Sequence, residues 1–275
     1  MNVLKISAFS EGDEGGNPAG VVIENQLPDH RKMQSIAAEV GFSETVFAAP
    51  YKDGWIVRYF SPEMEVPFCG HATIALGAAL AMQNGDGIYQ LSLTNADITV
   101  EGWYNDGILS AALQSPSTSS EVADRGLIAE ALSLLGYQHE DLDPRIPPAV
   151  ANAGATHLIL ALSNRSLLSR MNYDLDAGRE FMNTWGLVTI SLIYAESKQL
   201  FHSRNAFASG GVLEDPATGA AAAALAGYLR DSEWPHDGQI DIVQGEDMGM
   251  KSLLKAGIAA ESGSSIRVSG TARVM

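Results

Sequence analysis

A chain of 275 residues with 46% hydrophobic and 18% charged side chains is long enough for one large domain or two ordinary ones and too apolar for disorder. Seventeen Lys and Arg against thirty-three Asp and Glu leave a formal charge of -16, and with no local basic stripe this excludes a nucleic-acid partner. The single cysteine, Cys69, excludes an intramolecular disulfide and any multi-thiolate zinc or iron–sulfur centre, so a reducing cytoplasm is the simplest location.

The first residues lack the basic start and long apolar stretch of a signal peptide. Apolar patterning predicts strands over 3–9, 20–23, 45–48, 56–60, 89–94, 98–100 and 108–113, with Gly, Asn, Asp and Pro in the gaps. Between the second and third of these, Asp29 is placed to cap a helix whose Met33, Ile36, Ala37 and Val40 share one face and which Gly41 stops. A second helix, over 72–82, is apolar on nearly every side and must be surrounded by protein. The polar, aperiodic segment 114–120 reads as a linker, and a helix over 121–135 follows it. Strands are then predicted over 157–162, 188–194, 239–243, 255–260 and 266–274. Among them lie an amphipathic helix, with Ala177, Phe181 and Trp185 on one face and Gly186 at its end, and another wholly apolar helix over 219–229. Both apolar runs are shorter than the roughly 20 residues of a membrane span, so no membrane role is expected.

The order of elements repeats. An amphipathic helix ends in Gly41-Phe42 or Gly186-Leu187, a strand follows, then a segment with Arg58 or Arg204, an acidic turn and the apolar helix. Duplication at this scale implies two similar domains, each a curved sheet wrapped on one central helix, with the ligand in a cleft between them. A single α+β domain with coincidental repeats is the alternative.

Chemistry is expected at the starts of the two apolar helices, where unpaired N–H groups and the helix dipole suit a carboxylate or oxyanion. The first start is Glu65-Val-Pro-Phe-Cys-Gly-His71 and the second Glu214-Asp-Pro-Ala-Thr-Gly219. Asp215 followed by Pro216 has the form of an N-cap with proline in the first turn, and its carboxylate can also face a ligand. His71 falls in a first turn, where a neutral ring suits proton relay, although a packed or capping histidine would look the same. Glu44, beside Phe42, Val46 and Phe47, is either an edge residue facing water or a desolvated carboxylate with the raised pKa that acid/base work needs. Counting from Gly41 and Gly186, its counterpart is Thr189, so the halves differ where a proton carrier would sit. Cys69 is read as a small buried group before a nucleophile. No paired-histidine metal spacing, Walker sequence or serine-hydrolase elbow is present, and neither metal nor cofactor is expected.

The segments Gly16-Asn-Pro-Ala-Gly20, Gly41-Phe-Ser-Glu-Thr-Val-Phe47, Arg58-Tyr-Phe-Ser-Pro62, Val66-Pro-Phe-Cys-Gly-His-Ala-Thr73, Gly211-Val-Leu-Glu-Asp-Pro-Ala-Thr-Gly219 and Gln244-Gly-Glu-Asp-Met-Gly249 together resemble the phenazine-biosynthesis isomerase (PhzF-like) family, in its order and over almost the whole chain. The resemblance implies an α+β, diaminopimelate epimerase-like fold of two pseudo-symmetric domains, each a β-barrel around a central apolar helix. Residues 1–116 would form the first barrel, joined by a returning strand over 264–275, and 117–263 the second. It also implies a cytoplasmic homodimeric biosynthetic enzyme that needs no cofactor and isomerises a small carboxylic acid by proton transfer, as in dihydro-hydroxyanthranilate isomerisation. Glu44 resembles the family's proton-shuttling glutamate, and Gly70, His71, Asp215, Gly219 and Ala220 occupy its substrate-binding positions. With Cys69 alone, the two-thiol chemistry of diaminopimelate epimerase is excluded.

Two positions depart from the family pattern. Ala220 stands where a serine is usual and Met250 where an arginine is usual, which removes a hydroxyl and a cation from the binding side and points to a different small acid. An amino-acid epimerase or racemase pairing Glu44 with Asp215 or His71, without pyridoxal phosphate, is a second reading. A dimeric small-acid-binding protein without turnover is a third.

Overall fold

The computed structural model describes residues 1–94 and 96–275. The first stretch of chain forms β1 (Leu4–Ala8), β2 (Asn17–Ile23), α1 (His30–Val40), β3 (Thr45–Tyr51), β4 (Gly54–Phe60), β5 (Glu65–Val66), α2 (Gly70–Asn84), β6 (Gly87–Ser92), β7 (Asp97–Asn105) and β8 (Ile108–Gln114). There follow β9 (Ser119–Val122), α3 (Arg125–Leu135), β10 (Ala149–Asn152), β11 (Thr156–Ala161), α4 (Arg165–Ser169), α5 (Leu175–Trp185), β12 (Thr189–Ala195), β13 (Leu200–Ala206), β14 (Glu214–Asp215), α6 (Gly219–Asp231), β15 (Gln239–Gln244), β16 (Ser252–Gly257) and β17 (Arg267–Val274). Two compact units result, Met1–Gln114 with Ser269–Met275, and Ser115–Val268.

In the first unit eight strands close into a ring. β1 pairs with β2, β2 with β3 in parallel, β3 with β4, and β4 with β6 in parallel. β6 pairs with β7 and β7 with β8, and β17 joins β8 back to β1. Helix α2 runs along the inside, with His71 through Ala81 buried. A helix without a polar face has no stable place in water, and the barrel supplies the enclosure its composition demands. Two glycines of the 16–20 motif let the wall close. Gly16 has φ 80°, and a Cβ there would lie 2.5 Å from Ser7 Oγ; a Cβ on Gly20 would lie 2.7 Å from Thr45 Oγ1.

Outside the ring, Asp29 caps α1 by accepting from the Lys32 amide at 3.0 Å, and Gly41, left-handed at φ 71°, ends it. Its apolar face, Met33, Ile36 and Ala37, packs on Val22, Phe47 and Phe60. Full burial of each large side chain in that cluster contributes about 1.5–3 kcal/mol. Fixing α1 this way also fixes where the chain enters β3, one residue after Glu44.

The second unit repeats the wiring. The parallel pair β11–β12, antiparallel β12–β13, parallel β13–β15 and antiparallel β15–β16 correspond to β2–β3, β3–β4, β4–β6 and β6–β7. β9 and β10 extend the sheet beyond β11, and it wraps α6, whose residues 221–230 are buried. Asp174 caps α5 and Gly186, at φ 65°, ends it, as Asp29 and Gly41 do for α1.

Some expectations fail. The 114–120 segment does hold the boundary between the two units, but it is ordered: Ser115 N donates to Ile266 O at 2.8 Å, Thr118 N to Gly263 O at 3.0 Å, and residues 119–120 begin β9. The helix expected from 121 begins at Arg125, because Asp124 accepts from the Gly126 and Leu127 amides and caps it there, leaving Glu121 and Val122 paired with β10. Strands β10 and β13 escape the pattern because each mixes polar and small residues, Ala-Val-Ala-Asn and Leu-Phe-His-Ser-Arg-Asn-Ala, whose pairing depends on neighbours distant in sequence. Among the described residues no helix is long and apolar enough to cross a membrane.

Candidate active site

At the start of α2 the sequence places three chemically distinct side chains on two converging segments. Cys69 is the N-cap, with extended backbone and no capping side-chain bond. The amides of Gly70, His71 and Ala72 precede the first helical bond, Thr73 N to Cys69 O at 3.0 Å, and so lack an intrahelical acceptor. His71 is 6% exposed, with Nε2 3.4 Å from Glu44 Oε2 and 3.4 Å from Ser43 Oγ. Its Nδ1 lies 3.3 Å from Cys69 Sγ. Glu44 does not face open water: its side chain is 17% exposed, and its carbonyl accepts from Gly20 N at 3.1 Å, which ties the Gly41–Phe47 segment to the Gly16–Gly20 segment.

Beneath this surface the floor is rigid. Tyr59, buried, shares a 2.7 Å hydrogen bond with Thr73 Oγ1, and Thr73 Oγ1 lies 2.7 Å from Cys69 O. Burial pushes the Tyr59 phenol well above its usual range, so it stays protonated as a structural group. The acidic residue of the first turn sequence, Glu65, is not in the site; it grips Arg58 through two charge-assisted bonds across β4 and β5.

The second unit has an equivalent helix start built from other residues. Gly219, Ala220 and Ala221 precede the first helical bond, Ala222 N to Thr218 O at 3.0 Å. Asp215 is not the N-cap; it ends β14, and the cap position belongs to Thr218. Pro216 and Ala217 intervene, so the Asp-Pro pair shapes the turn before the helix instead of opening it. Thr218 Oγ1 donates to Asp215 Oδ2. Gln244, buried at 2%, holds this turn, donating from Nε2 to Asp215 O at 2.7 Å and to Thr218 Oγ1 at 3.1 Å, while its Oε1 accepts from Thr218 N at 3.3 Å. Gly219 is buried and Ala220 partly exposed. Arg204 and Glu214 repeat the Arg58–Glu65 pair.

The structure therefore brings Glu44, Gly70 and His71 together at one helix start and Asp215, Gly219 and Ala220 together at the other. Sequence reasoning passed over Ser43, Thr218 and Gln244. Gln244 lay within a motif used for the family resemblance, but nothing in its own neighbourhood pointed to residues 215–218, nearly thirty positions earlier. The spacing also gave no sign of a metal-binding group, yet Glu44, Cys69 and His71 each offer a donor atom within 4.8 Å of the others.

Known proteins resemble this chain over almost its whole length. A family model described as phenazine biosynthesis-like protein matches residues 6–275. A Mesorhizobium japonicum protein named as an uncharacterized isomerase is 30% identical over 98% of this chain and 95% of its own length. The trans-2,3-dihydro-3-hydroxyanthranilate isomerase of Pseudomonas aeruginosa is also 30% identical, over 96% of this chain and 94% of its own. Among solved structures, a Bacillus anthracis phenazine biosynthesis protein of the PhzF family superimposes with a TM-score of 0.85 at 22% identity, covering 100% of this chain and 98% of that one. A hydroxyproline epimerase from Agrobacterium vitis does so with a TM-score of 0.63 at 11% identity, over 99% and 88%, which shows a shared fold.

Proposed function

Because the chain belongs to the phenazine biosynthesis-like family of isomerases, we propose that it isomerises a small unsaturated or cyclic amino or hydroxy acid by proton transfer, without a cofactor, and that Glu44 is the proton carrier. The observation that carries this reading is the placement of the Glu44 carboxylate, largely withdrawn from water, 3.4 Å from His71 Nε2 at the start of α2. In the proposed step Glu44 removes a proton from a carbon next to an unsaturated bond. The electron pair of the C–H bond delocalises into that system, and Glu44, whose carboxyl proton exchanges with water between the two transfers, protonates a different carbon, with no net oxidation. The anion formed between the two transfers would be met by the unpaired amides of Gly70, His71 and Ala72, which carry the positive end of the helix dipole. His71, within reach of the carboxylate, orients it or exchanges a proton with it.

Gly70, His71, Asp215, Gly219 and Ala220 are proposed as substrate-binding positions, Asp215 suiting an amine or hydroxyl and the helix-start amides a carboxylate. Ala220 adds no hydroxyl, which favours a substrate that does not need one there. The relative named for trans-2,3-dihydro-3-hydroxyanthranilate supports the substrate class and supplies the first compound to try.

The test is incubation in deuterated water with that compound and a panel of small unsaturated amino and hydroxy acids, following deuterium incorporation by NMR. Native protein should exchange at least one of them, and Glu44→Gln should slow the exchange by about 10²–10⁴-fold. Exchange undiminished in Glu44→Gln would remove Glu44 from the mechanism.

A further inference from the structure

The turn before α6 holds three polar side chains whose hydrogen-bond directions are fixed by the backbone. Gln244, buried at 2%, presents Oε1 to the Thr218 amide at 3.3 Å and Nε2 to the Asp215 carbonyl at 2.7 Å. An amide N–H can only donate and a carbonyl can only accept, so both backbone contacts demand the same orientation of the Gln244 side chain. The second Nε2 hydrogen goes to Thr218 Oγ1, 3.1 Å away. With that oxygen accepting, the single hydroxyl hydrogen of Thr218 is given to Asp215 Oδ2.

We propose that Gln244 and Thr218 are positioning residues that hold Asp215 as an aimed, ionised acceptor, so that the start of α6 selects ligands carrying an N–H or O–H donor and takes no part in moving protons. A hydrogen bond given to a carboxylate favours its ionised form over the acid. A carboxylate fixed in that form binds an amine or hydroxyl well and is a poor general acid. This separates the task of Asp215 from that of Glu44, and it disfavours an epimerase that would use the two as opposed acid and base.

The first unit shows the three residues to be one device, because all three are replaced there together. Tyr59 and Asn205, each one residue after the arginine of its ion pair, pair with Val66 and Asp215. Trp55 and Phe201, each three residues before that arginine, pair with Leu91 and Ile242, which makes Leu93 the counterpart of Gln244. The helix N-caps are Cys69 and Thr218. Val66, Cys69 and Leu93 thus stand where Asp215, Thr218 and Gln244 stand, and the apolar Val66 and Leu93 leave the relay no counterpart.

The relay rests on hydrogen bonds within the chain; its consequence for ligand choice rests on the substrate-binding place proposed for Asp215. Anthranilate and benzoate, which differ only in the amine beside the carboxylate, serve as probes in calorimetry. Native protein should favour anthranilate by roughly 10–100-fold, the range of a hydrogen bond to a charged group. Thr218→Val and Gln244→Leu should lose most of that preference, and Thr218→Ser, which keeps the hydroxyl, should retain it. A Thr218→Val protein with a lower urea midpoint and an unchanged preference would reduce the hydroxyl to a fold contact and overturn its positioning role, as would native protein that does not favour anthranilate. In turnover of trans-2,3-dihydro-3-hydroxyanthranilate, the compound named for one relative, Thr218→Val should raise KM more than it lowers kcat. A fall in kcat at unchanged KM would put Asp215 in the proton transfer and overturn the assignment. An amine preference that follows the Thr218 hydroxyl, in a protein that exchanges no substrate proton, would leave the relay standing and remove the isomerase reading instead.

Discussion

The two units share a scaffold and differ in where they keep their polar chemistry. In the first, Phe47 faces Arg58 across β3 and β4; in the second, Leu192 faces Arg204 across β12 and β13. Aligning on those arginines makes Glu44 equivalent to Thr189, Val46 to Ser191, Val57 to Ser203 and Tyr59 to Asn205. The parallel pairs Val22–Phe47 and Leu160–Leu192 then make Ala19 equivalent to His157. At these matched wall positions the first unit carries Ala19, Val46, Val57 and Tyr59, all buried, and it keeps Glu44 and His71 at the helix start. The second has a buried polar set of His157, Thr189, Ser191, Ser203 and Asn205, and a helix start with no acid or base but Asp215. What stayed constant is the helix, the capped stop, the crossover and the Arg–Glu pair, which are the parts that build the fold. What changed is the set of side chains around the two helix starts and along the wall beside them, which the backbone tolerates in several versions.

The Arg–Glu pair gives the sharpest way to break the equivalence, because its setting differs between the units. Arg204 and Glu214 have side chains only 12% and 6% exposed, and Arg204 also donates to Ser169 O at 3.0 Å and Met171 O at 3.3 Å. Removing the carboxylate would strand a buried guanidinium. Glu214→Gln is expected to destabilise the protein by about 3–5 kcal/mol, read as a fall in the urea midpoint at constant slope. A loss under 1 kcal/mol would mean that solvent reaches Arg204 and that the two pairs are equivalent in energy as well as in position.

His157 sharpens the contrast between the walls. Its Nδ1 lies 2.7 Å from Thr189 Oγ1, its Nε2 is buried without a partner, and burial holds its pKa down at about 4. The unfolded chain takes up this proton near pH 6.5, so between those values the unfolded state binds more protons. The stability linked to His157 is therefore fully present above about pH 6.5 and falls as the pH drops toward 4, by about 3 kcal/mol across the window. His157→Gln should lose that dependence, so urea unfolding at pH 7 and pH 4 should show the variant gaining on the native protein as the pH falls. An unchanged difference at the two pH values would mean that the ring does not stay neutral.

Much of this was legible in the sequence because it is local. Asp29, Gly41 and Gly186 announce helix ends, and the apolar 72–82 and 219–229 runs announce helices that need enclosure. Glu44 stood out because a duplicated frame exposes the place where its two copies disagree. Contacts between distant segments were not legible. Nothing in the residues around Cys69 and His71 implies Glu44, twenty-five residues before Cys69, and the Asp-Pro sequence that suggests a helix cap sits in a turn that Gln244 holds from β15. Strand β13 was hidden for a related reason: its polar Ser203, Arg204 and Asn205 are stabilised by partners on β12, β14 and β15 that no local window contains.

The smallest expected effect lies at the first unit's copy of the ion pair. Arg58 and Glu65 have side chains 29% and 23% exposed, and His30, more than half exposed, approaches the same carboxylate at 3.5 Å. Water can solvate whichever partner remains, so Glu65→Gln should reduce stability by only about 0.2–1 kcal/mol, and added salt should narrow the gap between variant and native protein. The Arg58 guanidinium, bonded to Glu65, holds that carboxyl below its usual range. The stability it contributes is present above the ordinary glutamate value and disappears as the pH falls through the depressed one, so Glu65→Gln should matter at neutral pH and become silent in strong acid. If Glu65→Gln instead lost as much as Glu214→Gln, burial would not be what separates the two copies, and the difference between the units would reduce to the residues around the two helix starts.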